Sequence, residues 1–242
     1  MDFQLTKEEQ LIQGAAREFA EKEIGPAGEE IVASNRVPEE ILAGLRELDL
    51  FALPIPEAYG GAEAGYLCYI LAMEQIARVC PGVAVILSVN NLAAAAVNIF
   101  GTEEQKKRYI PQGTRGDTAF SFAFTEPGTG SDPKQLAATA KKDGDHYVLN
   151  GTKRFITNSS YRGPIIVFAR ETETDQVNGF ILDKFCEGYS VSEPWNKMGV
   201  KGAPLHDVYL RDVRIPAENV LGGPGKGFWI LKVAMALGKI GI

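Results

Sequence analysis

Apolar residues recur at helical spacing from the start of the chain. Leu11, Ile12, Ala15, Phe19 and Ala20 fall on one helical face. Thr6 followed by Glu9 is a capping box, with Leu5 before it as a staple, and Gly25-Pro26 ends the helix after Ile24. Pro38 opens a second helix carrying Ile41, Leu42, Leu45 and Leu48 on one side. Phe51 to Gly61, with two prolines and a Gly-Gly pair, reads as a loop. Apolar helices follow from Tyr66 to Arg78 and from Pro81 to Phe100, then a charged short helix from Thr102 to Tyr109.

Near Gly113 to Asp117 the pattern changes, and turn signals recur every 8 to 12 residues between β-rich runs. Strands are predicted at Thr118–Thr125, Ala137–Lys142, His146–Asn150, Thr152–Ile156, Pro164–Arg170, Gly179–Leu182, Tyr189–Glu193 and Asp207–Arg211. Asp143-Gly144 and Asn150-Gly151 read as two-residue hairpin turns. Eight short antiparallel strands predict a barrel or sandwich. From Gly225 the pattern is helical again, through Phe228, Ile230, Leu231, Val233, Ala234 and Leu237. This last helix is apolar on most sides and meets no cap at Gly241-Ile242, so a truncated or continuing chain is expected. The fold class expected is multidomain α+β: a helical domain over 1–115, an antiparallel β-barrel/sandwich domain over 116–224, and the start of a truncated helical domain over 225–242.

Composition narrows the function classes. Hydrophobic residues make up 45% and charged residues 23%, as in a globular protein. A net charge of −6 argues against a general nucleic-acid or membrane-surface binder. Cys68, Cys80 and Cys186 form no C-x-x-C pair and are odd in number, which points to a reducing, cytoplasmic setting. His146 and His206 stand apart from any ligand cluster, so no metal is expected. The acidic start lacks the apolar region of a signal peptide. No uncharged apolar run is read as reaching the ~18 residues of a membrane span.

Chemistry concentrates between Phe120 and Asp132. Phe120, Phe122 and Phe124 alternate with Ser121, Ala123 and Thr125, giving one bulky face and one small face open to something flat. Pro127 stops the strand, and Gly128 and Gly130 free the backbone among Thr129, Ser131 and Asp132, a composition able to cradle a phosphate. Such a turn also occurs in proteins without ligands, and it lacks dinucleotide or P-loop spacing. A second stretch, N-G-T-K-R-F-I-T-N-S, runs from Asn150 to Ser159.

Together these stretches resemble the acyl-CoA dehydrogenase flavoprotein family, whose middle domain carries T-E-P-x-x-G-S-D and N-G-x-K-x-[WF]-I-T-N. Pro56 to Gly61 (P-x-x-Y-G-G), Lys197 to Ala203 and Arg211 to Pro216 are similar to further family motifs, and the resemblance runs from about residue 3 to residue 242. It implies FAD as cofactor and the 2,3-dehydrogenation of an acyl-CoA thioester. It implies that Phe122, Ala123, Phe124 and Thr125 meet the flavin ring and that Gly130 and Ser131 face its pyrophosphate, with Ser131 also touching the acyl-CoA. Phe155 would cover one flavin face, with Ile156 beside it, and Thr157 would bond near the ring's polar edge. Lys239 takes the place of the arginine that holds the CoA moiety, while the acidic residue three positions earlier is Ala236 here and the usual serine is Ala203. The catalytic base has no counterpart: the matching position is Gly238, and in most relatives the base lies in a C-terminal bundle. Glu126 reads as structural. The run Leu92 to Ala96 admits either a thin acyl chain or plain core packing. The resemblance further implies a homo-oligomer with electron-transferring flavoprotein as acceptor, and a 242-residue chain that is inactive alone and holds FAD weakly or not at all. The alternative reading is a non-catalytic binding or assembly subunit.

Overall fold

The computed structural model of the protein describes residues 4–115 and 118–242. Met1 to Phe3 of the acidic start and the Gly116-Asp117 part of the expected domain boundary lie outside the described residues.

The first half is helical. Helix α1 (Lys7–Phe19) starts at the Thr6/Glu9 capping box and continues through a π-helical turn over Ala20–Ile24. Helix α2 (Gly28–Ser34) is absent from the sequence reading, which took Gly25-Pro26 as a stop; Glu29 and Glu30 favour its first turn and Asn35 closes it at φ +53°. Helices α3 (Glu39–Glu47), α4 (Gly65–Val79) and α5 (Pro81–Phe100) follow as expected. Helix α6 (Glu103–Thr114) runs past the predicted end at Tyr109 and through Pro111. Burial of Tyr109, Ile110, Gly113 and Thr114 outweighs the missing proline N–H. Ala16, Ile24, Ile31, Leu45, Ile76 and Ile86 are among the residues of the helical core.

Helix α5 corrects the reading of the apolar runs. Its twenty residues carry no charge and are long and apolar enough to cross a membrane by length and composition. Here 67% of its apolar window is buried within the protein. Asn90 and Asn91 on it donate to the backbone carbonyls of Phe51, Gly113, Leu50 and Leu87. Its apolarity therefore serves a protein core among its neighbours.

The second half is an eight-stranded sheet: β1 (Ser121–Ala123), β2 (Thr139–Asp143), β3 (His146–Thr157), β4 (Pro164–Glu171), β5 (Val177–Asp183), β6 (Tyr189–Val191), β7 (Leu205–Pro216) and β8 (Val220–Leu221). The order is β6-β7-β3-β2-β4-β5-β8, with β1 also on β4. The sheet is mixed, not wholly antiparallel, because β4 pairs in parallel with both β1 and β2 along one edge. One face of the sheet encloses Ala123, Leu149, Val167, Phe180 and Val208. The other packs Ile166 and Phe168 against α5, α6 and helix α7 (Gly227–Gly241). Strand β4, buried on both sides, reads accordingly as a continuous apolar run.

The two predicted hairpins fare differently. The β2–β3 turn exists, with Asp143 paired to His146 and Gly144 at φ +60°, the value a type II′ turn needs at its first loop position. Asn150-Gly151 instead lies inside the single long strand β3, at a register shift against β7. Gly151 adopts φ +149° and a Cβ there would sit 2.7 Å from that of Ala138. The glycine is thus required for close approach of two strands, and pairing with β7 overrides the local turn preference. Strand β8, of two residues, has no signal of its own in the sequence.

Candidate active site

Strand β1 delivers the Phe120–Thr125 stretch to the junction of sheet and helices. Its alternation is as read, but the faces do not divide as expected. Ala123 packs inside the sheet and Ser121 is buried under Lys184, whereas Phe122 and Phe124 face the helices against Phe168. Phe122 and Phe124 of the bulky face therefore border the open space, with Thr125 of the small face beside them, while Phe120 is buried. Beyond it Glu126 and Thr129 bridge each other through both backbone N–H groups, at 2.8 and 3.1 Å. Asp132 caps the short 3-10 turn Pro133–Gln135. Gly128 and Gly130 do not take left-handed backbone angles, and a Cβ on either would meet no atom within 4 Å. The turn itself does not need these glycines; at Gly130 their effect is open space.

Glu126 is the anchor of this loop. Its carboxylate accepts from the backbone N–H of Ala137 and Ala138 at 2.6 and 3.0 Å and from Lys153 Nζ at 2.6 Å. Lys153 and Glu126 are 0% and 3% exposed, and Lys153 also donates to the Phe124 carbonyl. Burial pushes the lysine down to about 8, against the pull of the Glu126 charge. The ion pair ties the loop to β3, as the structural reading of Glu126 expected.

Strand β3 then changes register between Lys153 and Ile156. Phe155 sits in this irregularity at φ +59°, a strained angle for an aromatic residue, and is 47% exposed. Its ring lies edge-on to Trp195, centroids 5.2 Å apart. Ile156 returns to the sheet core, and Thr157 is 8% exposed. Asn158, at φ +63°, donates to the carbonyls of Ile86 on α5 and Phe120, fixing the strand end against the helical layer.

Helix α7 closes the fourth side. A cleft of about 680 Å³ opens between α5, the Phe122–Pro133 segment, the end of β3 and α7. Of the residues predicted from sequence, Phe122, Phe124, Thr125, Gly130, Ser131, Phe155, Thr157 and Lys239 all line it. Ala123 and Ile156 do not; their side chains belong to the sheet core. Leu92, from the run read as admitting an acyl chain or core packing, also lines it, whereas the sequence reading missed Val89 on α5 and Lys232 and Met235 on α7. The near all-round apolarity of α7 was the available signal, since a helix covering a cleft and a core together has little polar face. Three hydroxyls and two ammonium groups line the cleft, and no Asp or Glu side chain does among the described residues. Such a lining fits a ligand with a flat apolar part and anionic groups. Gly238 is buried, and a Cβ there would lie 3.2 Å from Leu92, so a larger residue at that position must displace this side chain.

A helical layer, a mixed sheet and a cleft between them lined by hydroxyls and two lysines define a two-layer helix-and-sheet scaffold. Residues 6–117 match the acyl-CoA dehydrogenase N-terminal domain and residues 121–213 the acyl-CoA dehydrogenase middle domain. The chain belongs to the acyl-CoA dehydrogenase family. It is 36% identical over 246 residues to the short-chain specific acyl-CoA dehydrogenase of Clostridium acetobutylicum, covering 100% of this chain and 65% of that protein. Butyryl-CoA dehydrogenase from Megasphaera elsdenii superposes with a TM-score of 0.94 at 34% identity, over 100% of this chain and 65% of that one. Glutaryl-CoA dehydrogenase from Mycobacterium smegmatis, in complex with FADH2, gives 0.91 at 26% identity, over 98% and 61%. The chain thus spans just under two thirds of the length of these relatives.

Proposed function

We propose that the cleft holds FAD and an acyl-CoA thioester, and that the chain supplies the N-terminal and middle parts of an enzyme oxidising the thioester to the 2,3-enoyl-CoA. The observation carrying this reading is convergence: residues from positions 122 to 239 meet in one cleft whose donors suit phosphates and whose walls suit a flat ring. The fit to FAD is tested by that lining, since hydroxyls and lysines with no Asp or Glu side chain among them suit a pyrophosphate. When bound, FAD supplies the two-electron acceptor.

The residues of this chain have binding and orienting roles. Thr125 and Thr157 offer hydroxyls to the polar edge of the ring, together with backbone groups of Phe122 to Thr125 and Ile156. Phe155 covers a face of the ring. Gly130 and Ser131 leave room and a donor for pyrophosphate, and Ser131 and Lys239 serve the CoA portion. The general base is not assigned to this chain, in keeping with a cleft that no described Asp or Glu side chain lines. The division into 1–115, 116–224 and 225–242, the cytoplasmic setting, homo-oligomerisation and electron-transferring flavoprotein as acceptor belong to the same proposal. The short-chain names of the relatives favour a short acyl group. Titration of the longest protein that carries this chain with FAD tests the reading: saturable quenching of flavin fluorescence is expected, weakened in Thr125→Val/Ser131→Ala. Absence of saturable binding would overturn it.

The lack of a lining Asp or Glu side chain among the described residues favours one second reading, a binding or assembly subunit that keeps the cleft without catalysis. Anaerobic mixing of butyryl-CoA with the longest protein that carries this chain separates the two. Flavin bleaching supports the enzyme; a stable yellow complex supports the subunit.

A further inference from the structure

We propose that Trp195, held by Asp207 and Arg154, is a positioning residue that fixes the Phe155 ring at the lip of the cleft. The proposal deepens the reading of the cleft as a flavin slot and rests on it for its functional meaning. Phe155 is exposed to 47% and left-handed in backbone, so neither core packing nor regular strand geometry sets its ring. An exposed aromatic side chain without neighbours exchanges rotamers on the picosecond to nanosecond scale. A ligand stacking on it would then have to order it first.

Trp195 supplies the missing restraint. Its ring meets that of Phe155 edge-on, at 5.2 Å and 63°. Phe155 lines the cleft and Trp195 does not, so the support comes from outside the ligand space. Trp195 is itself tied at two points: its backbone N–H donates to the Leu205 carbonyl, and its Nε1–H to Asp207 Oδ1 at 2.9 Å. Asp207, only 5% exposed, also accepts from Arg154 Nη2 at 3.2 Å, and its own N–H donates to Ser192 Oγ at 2.9 Å. The Arg154 guanidinium in turn lies 5.2 Å from the Trp195 ring and 5.9 Å from the Phe155 ring. One carboxylate on β7 thereby fixes a tryptophan and an arginine that together hold a phenylalanine on β3. The arrangement offers a pre-set aromatic face at low ordering cost.

The test has a ligand-free arm and a ligand arm, both on the purified 242-residue chain. In the first, the chain carries 4-fluorophenylalanine and the Phe155 resonance is assigned by its loss in Phe155→Leu. Trp195→Leu should shift and broaden that 19F resonance while leaving the other phenylalanines in place. Trp195→Phe, which restores a ring without the indole N–H, should return it part of the way. An unmoved Phe155 resonance in Trp195→Leu overturns the proposal, whatever the chain binds. In the second arm, FAD affinity should fall about three- to tenfold in Trp195→Leu, the range of one aromatic pair. Phe155→Ala should lose at least as much, and the double variant no more than Phe155→Ala. Unchanged FAD affinity in Trp195→Leu beside a weakened Phe155→Ala also overturns the proposal. If the wild-type 242-residue chain binds no FAD, the 19F arm alone decides whether Trp195 positions the ring.

Discussion

Replacing Glu126 with glutamine tests whether one buried ion pair holds the two cleft-forming segments together. Glu126 Oε1 and Lys153 Nζ are 2.6 Å apart, at 3% and 0% exposure. An exposed pair of this length contributes about 0–1 kcal/mol. A buried one behaves differently, because removing one partner leaves the other charge dry and uncompensated, at about 3–5 kcal/mol. The introduced glutamine would also turn an amide group toward one of the N–H donors of Ala137 and Ala138, where the carboxylate now accepts both. We therefore expect Glu126→Gln to lose about 3–5 kcal/mol at pH 7. Lys153→Met should lose somewhat less, since the carboxylate keeps its two backbone donors. The double variant should lose at least about 2 kcal/mol less than the sum of the two. Urea unfolding followed by far-UV circular dichroism supplies the midpoints. The pH dependence adds a sign. Lys153 is lowered to about 8 from its ordinary 10.5, so between those values the unfolded chain binds more protons at this residue than the folded one. Its contribution makes stability rise with pH across that window, by at most about 1.4 kcal/mol per pH unit, and is flat below it. Subtracting the profile of the double variant isolates that slope. Additive single variants, or a slope of the opposite sign, would refute the account.

Three further outcomes are expected. Gly130→Ala should leave stability within about 0.5 kcal/mol of wild type, because the new Cβ meets open space, yet weaken FAD binding by narrowing the cleft; unchanged affinity would remove Gly130 from the site. Thr157→Val should disturb the spectrum or potential of bound flavin more than it lowers the melting temperature, with a loss of about 0.5–3 kcal/mol if one hydrogen bond disappears; an unaltered flavin signal would make Thr157 a strand hydroxyl only. Gly151→Ala should destabilise the sheet by about 2–4 kcal/mol through its contact with Ala138 and its disallowed φ, read as a lower urea midpoint.

Features written in local chemistry were legible before the structure. The Thr6/Glu9 capping box, Pro81 opening α5 and the apolar run of β4 each act over a few residues, and each appears where the pattern puts it. Features set by distant partners were not. Asn150-Gly151 carries a strong turn signal, but β7 pairs along both sides of it and keeps β3 in one piece. The parallel edges of β4 depend on crossovers that no local spacing encodes. The site divides in the same way. The motif residues Thr125, Ser131, Phe155 and Thr157 were visible as motifs, whereas Lys232, Val89 and Met235 join them only because α7 and α5 pack beside the sheet. Phe155 was chosen for its aromatic ring; its backbone angle and its support by Trp195 depend on the register shift of β3 and on a loop much further along the chain.

The six residues from Lys153 to Asn158 show where this fold departs from ordinary strand behaviour. Lys153 is a wholly buried cation, Arg154 pairs across the sheet with Asp207, Phe155 is left-handed and exposed, and Asn158 is left-handed and buried. Each departure opposes folding on its own: burying the lysine disfavours its charge, and each left-handed residue carries about 1–3 kcal/mol of strain. Each is also restrained from elsewhere in the fold: Lys153 by Glu126, Arg154 by Asp207 on β7, Phe155 by Trp195, and Asn158 by α5 and Phe120. A strand needed only for the sheet would satisfy its bonds at lower strain with regular pairing. The irregular segment instead turns Phe155 out and leaves Thr157 lining the same cleft. Strain at Phe155, which lines the cleft, flanked on the same strand by residues each held from another element, is what a pre-organised binding wall requires. Core packing alone gives no reason for it to fall at these positions.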